Sequence, residues 1–296
     1  MPKELLFRGT GTALVTPFNA AGEVDEIALR KLVDAQIKGG VEAILPCGTT
    51  GESVTLSDDE QVRVIEIVAE QARGRAKVIA GAGGNATLKV IAAARRAMAA
   101  GADAILSVAP YYNKPTQEGY YQHYRAIAEG VEAQVIVYNV PGRTAGNIEA
   151  ETCLRIAEIP GIAGVKEASG NFSQIMEILR NRKKSFAVWS GDDAITLPLI
   201  ALGADGIVSV VSNVVPKEFA AMVRLALRGD YARAAKAHYQ LLPLMNFDFI
   251  ESNPIPVKAA LVEMGLIREN YRLPLVPLST KYRPKLREIL KSLDLI

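Results

Sequence analysis

The sequence predicts an α/β protein, a closed (β/α)8 TIM barrel with a C-terminal helical extension. Three observations predict it. Short, nearly continuous aliphatic runs recur through the first 215 or so residues, and each ends in a cluster of Gly, Thr, Asn, Tyr, Lys or Ser. Segments of helical period lie between them. Runs apolar on both faces, alternating with helices, mean a parallel sheet covered on both sides, and eight of them close a barrel better than they fill an open sheet.

The elements follow in order. "GTALVTPF" from Gly11 is the first strand, followed by a helix with apolar period from Ile27 to Ile37. "GGVEAILPCGTTGE" from Gly39 holds the second strand, with a helix over Val62 to Ala69. "AKVIAGAGGN" from Ala76 and "AGADAILSVAPYYN" from Ala100 give the third and fourth, with helices over Val90–Ala99 and Tyr121–Ala128. "GVEAQVIVYNVPGR" from Gly130 and "GIAGVKEASG" from Gly161 give the fifth and sixth, followed by the periods Leu154–Ile159 and Ile175–Leu179. "FAVWSGDD" from Phe186 and "LGADGIVSVVSN" from Leu202 complete the set around the helix Ile195–Leu202. From about Pro216 the pattern is helical only. The expected division is a catalytic barrel over residues 1–225 and a helical region over 226–296.

Composition narrows the function classes. Net charge is +2, which gives no electrostatic case for nucleic acid or an acidic membrane surface. No uncharged apolar run reaches the length of a membrane span, and "MPKELLFRGTGTALV" lacks the apolar core of a secretory leader. Two cysteines, Cys47 and Cys153, fit a reduced, cytoplasmic protein. His123 and His238 sit in polar helical stretches and read as surface or capping residues, so a His-rich metal site is not expected. Cys47 reads as a packing residue.

A barrel concentrates chemistry at the carboxyl ends of its strands. Those ends hold Thr16, Gly48-Thr49-Thr50, Asn85, Tyr111 and Tyr112, Tyr138 and Arg143, Lys166, Ser190-Gly191-Asp192, and Ser209. Tyr138 and Lys166 take corresponding positions on the fifth and sixth strands, which lie about 4.8 Å apart in a sheet. A lysine partly desolvated there favours its neutral amine. Lowering its pKa from about 10.4 to about 7 takes roughly 4–5 kcal/mol of differential environment. A neutral amine forms a Schiff base with a carbonyl, and the iminium then acidifies the neighbouring carbon, with no metal or cofactor required. The plainer alternative is a strand-end lysine paired with Glu167 or another carboxylate. Lys258, in "NPIPVKAA", has similar apolar flanks but falls in the helical region.

"GTTGES" from Gly48 suits a small carboxylate through two hydroxyls and exposed backbone N–H groups. It also reads as a plain turn leading to Ser57 as a helix cap. Arg143 can clamp a second carboxylate through its planar fork, or make a loop ion pair. "GAGGNA" from Gly81 fits a dinucleotide fingerprint, but the strand "DAILSVAP" lacks the acidic residue such a site needs. Asp192 and Asp193 read as helix-opening caps.

In order, "GTALVTPF", "GTTGES", "PYYNKPTQEG", "YNVPGRT", "GVKEASG", "SGDD" and "NPIPVK" resemble the 4-hydroxy-tetrahydrodipicolinate (dihydrodipicolinate) synthase family, over essentially the whole chain. That family belongs to the pyruvate-dependent class I aldolases, which include N-acetylneuraminate lyase. The resemblance implies condensation of pyruvate with L-aspartate 4-semialdehyde, in lysine and diaminopimelate synthesis. It implies Lys166 as the Schiff-base lysine and Thr49 and Thr50 at the pyruvate carboxylate. Thr50, Tyr138 and Tyr112 match a proton relay in which the last tyrosine comes from a neighbouring subunit. An oligomer is therefore implied, usually a tetramer built as a dimer of dimers. Arg143 matches the residue that receives the second substrate's carboxylate, and Gly191 and Val208 match positions lining the pyruvate pocket. Two other readings use the same barrel: a sister aldolase or dehydratase acting on a sugar acid, and a silent small-acid-binding protein. Ser53, Asn85 and Tyr111 fit the family's L-lysine effector pocket. Asp58, Gln61 and Lys89 depart from it, and Lys89 would repel the effector's ammonium, so weak or absent feedback inhibition is expected.

Overall fold

The computed structural model describes residues 5–296 and places eight parallel strands in one closed ring, β1 to β8 in sequence order. β1 (Gly9–Ala13), α1 (Glu26–Gly39), β2 (Ala43–Leu45), α2 (Asp58–Ala72), β3 (Lys77–Gly81), α3 (Thr87–Ala99), β4 (Ala104–Val108) and α4 (Gln117–Gly130) form the first half. β5 (Gln134–Asn139), the short α5 (Pro141–Thr144), α6 (Ala150–Ile156), β6 (Ile162–Glu167), α7 (Phe172–Asn181), β7 (Ala187–Ser190), α8 (Thr196–Ala201), β8 (Gly206–Ser209) and α9 (Pro216–Leu227) form the second. β8 pairs with β1, from Gly9 opposite Gly206 to Thr12 opposite Ser209, and closes the ring.

Strand alternation divides the core into two layers. Ala13, Leu45, Ile79, Leu106, Ile136, Tyr138 and Trp189 point inward and fill the barrel, with Phe7 stacked on Trp189 at 4.7 Å across its floor. Their strand neighbours, such as Ile44, Val78, Val137, Val165 and Val188, point outward into the helix layer. Local signals set the helix starts. Asp25 caps α1 by accepting from the Ala28 N–H at 3.0 Å. Ser57 and Glu60 form a reciprocal capping box on α2.

The eighth barrel helix is α9. It packs on α1, α8 and β1, so the run from Pro216 first completes the barrel rather than starting an appendage. The helical region proper is α10 (Tyr231–Phe247), α11 (Ile255–Glu263) and α12 (Arg283–Ser292). Its Leu244, Val257, Leu261 and Leu290 join the same apolar cluster as the barrel's helix layer. Among the described residues no helix is long and apolar enough to cross a membrane.

The histidines depart from expectation. His123 and His238 are both buried. His123 lies on the inner face of α4 with Tyr120, Tyr124 and Ile127, its Nδ1 is 2.9 Å from Thr87 Oγ1, and burial pushes its pKa down to about 4. The spacing 120, 123, 124, 127 is helical period, so polar flanks concealed a buried stripe.

Candidate active site

A cavity of about 420 Å³ opens at the carboxyl ends of the strands, lined by Lys166, Tyr138, Thr49, Thr50, Arg143 and Gly191 among others. Lys166 is inward because it alternates with Val165 and Glu167 on β6. It is 5 % exposed, it registers directly with Tyr138 on β5, and its Nζ lies 4.2 Å from the centre of the Tyr138 ring. Burial lowers its pKa from the ordinary 10.5 to about 7; the Asp193 carboxylate opposes that fall and the Arg143 guanidinium adds to it. The neutral amine is therefore within reach at neutral pH, as it is not for an ordinary lysine.

Glu167 does not pair with this lysine. Its carboxylate faces the helix layer, where it accepts from Asn139 Nδ2, the Ser169 N–H and Gln174 Nε2. Pairing with Glu167 fails because adjacent residues of a strand point to opposite faces. Gly191 is required by the same geometry: a Cβ there would lie 2.6 Å from the Ala168 Cβ and 3.1 Å from the Lys166 Cε. Lys258, the rival lysine, is committed elsewhere. Its Nζ donates to Glu52 Oε1 at 2.5 Å in a fully buried pair, over the Phe18 ring.

The "GTTGES" segment serves both as cavity wall and as turn. Thr16 Oγ1 donates to the Gly51 carbonyl at 2.7 Å and ties the loop to the end of β1. The two threonines then diverge. Thr49 is within hydrogen-bonding reach of Tyr138, whose hydroxyl burial pushes up to about 12. Thr50, by contrast, accepts from Asn253 Nδ2 at 3.0 Å. The hydroxyl adjoining Tyr138 is thus that of Thr49, not Thr50, a correction that sequence could not supply because both threonines lie in one turn. Val208 belongs to the barrel interior on β8, and Val210, two residues on, lines the cavity.

Arg143, exposed at the mouth on α5, makes no ion pair among the described residues, and its Nη2 donates to the Asn253 carbonyl at 3.4 Å. Its fork remains available to an anion. Tyr112 stands outside its own cavity, 90 % exposed, with a left-handed φ of 71° that a bulky side chain rarely adopts.

Asp193 departs from its expected place as a helix cap. It precedes α8 rather than capping it and is buried, accepting from Ser209 Oγ (2.6 Å) and the Val210 and Val211 N–H groups (3.0 and 3.1 Å). Burial raises its pKa to about 6, so at pH 7 it is mostly charged and favours positive charge on Lys166. Cys47 also lines the cavity, but burial holds its thiol at about 12 and leaves it unreactive. The glycines of "GAGGNA" serve packing: a Cβ on Gly83 would lie 2.4 Å from the Val108 nitrogen, and one on Gly81 would lie 2.0 Å from the Cys47 carbonyl oxygen. Among the described residues no group of three or more His, Cys, Asp or Glu converges on a metal-sized point.

The family model described as the dihydrodipicolinate synthetase family matches residues 6–293. The chain belongs to the dihydrodipicolinate synthase family. The 4-hydroxy-tetrahydrodipicolinate synthase of Chloroherpeton thalassium is 55% identical over 289 residues, which cover 97% of this chain and 96% of that protein. The dihydrodipicolinate synthase structure from Aquifex aeolicus superposes with a TM-score of 0.95 at 46% identity, covering 98% of this chain and 99% of the other. The chloride-inhibited enzyme from Acinetobacter baumannii, solved in complex with pyruvate, gives a TM-score of 0.96 at 46% identity over 98% of this chain and 100% of that one.

Proposed function

We propose that Lys166 carries pyruvate as a Schiff base in this lyase, which condenses pyruvate with L-aspartate 4-semialdehyde to give 4-hydroxy-tetrahydrodipicolinate, a step of lysine and diaminopimelate synthesis. The observation that carries the reading is the Lys166 amine, buried, its pKa lowered to about 7, and set against Tyr138 in the cavity at the strand ends. The neutral Nζ attacks the pyruvate C2 carbonyl; loss of water gives an iminium, and loss of a methyl proton gives an enamine whose carbon attacks the aldehyde. Asp193 stabilises the buried positive charge of the iminium.

Thr49 and Thr50 hold the pyruvate carboxylate, with Gly191 giving the lysine chain room. Tyr138 and Thr49 move protons through the hydroxyls that adjoin. Arg143 receives the carboxylate of the aldehyde substrate. The relay is completed by Tyr112 from a second copy of the chain, in a tetramer built as a dimer of dimers. Three features support this: the exposure of Tyr112, its backbone conformation, and the exposed Val54 and Phe249 at the cavity rim. The test is turnover of pyruvate with L-aspartate 4-semialdehyde, coupled to an NAD(P)H-dependent reductase acting on the product. Turnover in the native chain and its loss in Lys166→Ala support the reading. Pyruvate trapped on Lys166 without turnover moves the second substrate to another aldehyde.

A further inference from the structure

Asn253 stands in the turn between α10 and α11, outside the barrel, yet it lines the cavity and is 6 % exposed. Its two polar ends engage two different anion-facing residues. The side-chain Nδ2 donates to Thr50 Oγ1 at 3.0 Å, and the backbone carbonyl accepts from Arg143 Nη2 at 3.4 Å. Its Oδ1 is buried with no protein partner.

A threonine hydroxyl has one hydrogen and two lone pairs. With one lone pair taken by Asn253, the Thr50 hydrogen is free to point elsewhere, and no acceptor for it lies among the described protein groups. The cavity that Thr50 lines is the remaining direction. We propose that Asn253 is a positioning residue that commits the Thr50 hydroxyl to donate to the carboxylate of pyruvate and, through its carbonyl, steadies Arg143 at the mouth. The helical region thereby contributes to anion recognition in the barrel. The inference rests on pyruvate occupying this cavity on Lys166. If the amide were turned over, Thr50 would spend its only hydrogen on Asn253 and have none for the substrate; the two orientations predict opposite results for an aspartate at this position.

The experiment measures steady-state constants for Asn253→Ala, Asn253→Asp, Thr50→Val and the Asn253→Ala/Thr50→Val pair, with borohydride trapping of pyruvate on the native enzyme run alongside. The expectation for Asn253→Ala is a pyruvate KM about tenfold higher with kcat within about threefold, the loss of one hydrogen bond to a charged group. The pair should be no worse than Thr50→Val alone, because Asn253 acts through that hydroxyl. Asn253→Asp, nearly isosteric, turns the Thr50 hydrogen toward itself and should raise KM more than Asn253→Ala does. A pyruvate KM unchanged in Asn253→Ala, full additivity in the pair, or a native-like KM in Asn253→Asp overturns the proposal. Failure of the native enzyme to trap pyruvate would instead overturn the Lys166 reading itself.

Discussion

Replacing Asp193 by Asn removes the carboxylate that supports positive charge on Lys166 while keeping a side chain of the same shape. From the ordinary 10.5 to about 7, at about 1.4 kcal/mol per pH unit, the site disfavours the ammonium by about 5 kcal/mol. At pH 7 about half of the Lys166 amines are neutral, against roughly one in three thousand for an ordinary lysine. Initial rates of borohydride-trappable adduct formation at low pyruvate, followed from pH 5 to 9, should therefore titrate with a midpoint near 7. A buried opposite charge is worth about 1–3 pH units. Asp193→Asn should therefore move the midpoint down by at least about one unit. It should also lower the amount of iminium trapped at equilibrium, since the cation loses its counter-charge. A native midpoint above about 9, or an upward movement in Asp193→Asn, would refute the assignment of burial and Asp193 as the opposed influences on this amine.

Other expectations come from the buried charges. Asp248 is fully buried, neither carboxyl oxygen has a protein partner, and burial together with Asp193 raises its pKa well above the ordinary value. Below about pH 4 both folded and unfolded chains hold its proton; above that only the folded chain does, so stability falls as pH rises, by up to about 1.4 kcal/mol per unit until the folded pKa is reached. Asp248→Leu should thus raise the melting temperature at pH 7.5 and have a smaller effect at pH 4, as thermal scans would show. Lys258→Met strands Glu52 in the interior and should cost about 3–5 kcal/mol in denaturant unfolding, with much of it recovered by adding Glu52→Leu. L-Lysine should inhibit weakly or not at all: Lys89, at the position that the resemblance assigns to the effector pocket, is exposed, Asp58 is paired with Arg96 at 2.9 Å, and Gln61 Nε2 donates to the Ser53 carbonyl at 3.0 Å. A dose–response curve with strong inhibition below about 1 mM would contradict this.

The barrel was legible because its signal is periodic. Seven of the eight strands fall within the aliphatic runs, β1 begins two residues before its run, and the Tyr138–Lys166 register follows from their matching positions at strand ends. What escaped were choices among neighbours. Thr49 and Thr50 share a turn, and only coordinates show which hydroxyl adjoins Tyr138. Asp193 resembled a helix cap because burial of a loop residue leaves no periodic trace. Asn253 sits in a motif noticed for its lysine, and its reach across to Thr50 spans more than two hundred positions of sequence. His123 is different: its helical spacing with Tyr120, Tyr124 and Ile127 was available in the sequence and pointed inward.

The most direct test of the account is peptide mapping of the enzyme reduced with borohydride in the presence of pyruvate. One reduced pyruvyl adduct is expected, on the peptide bearing Lys166, and none in Lys166→Ala. An adduct on Lys258 or another lysine, or none on the native enzyme, would contradict it.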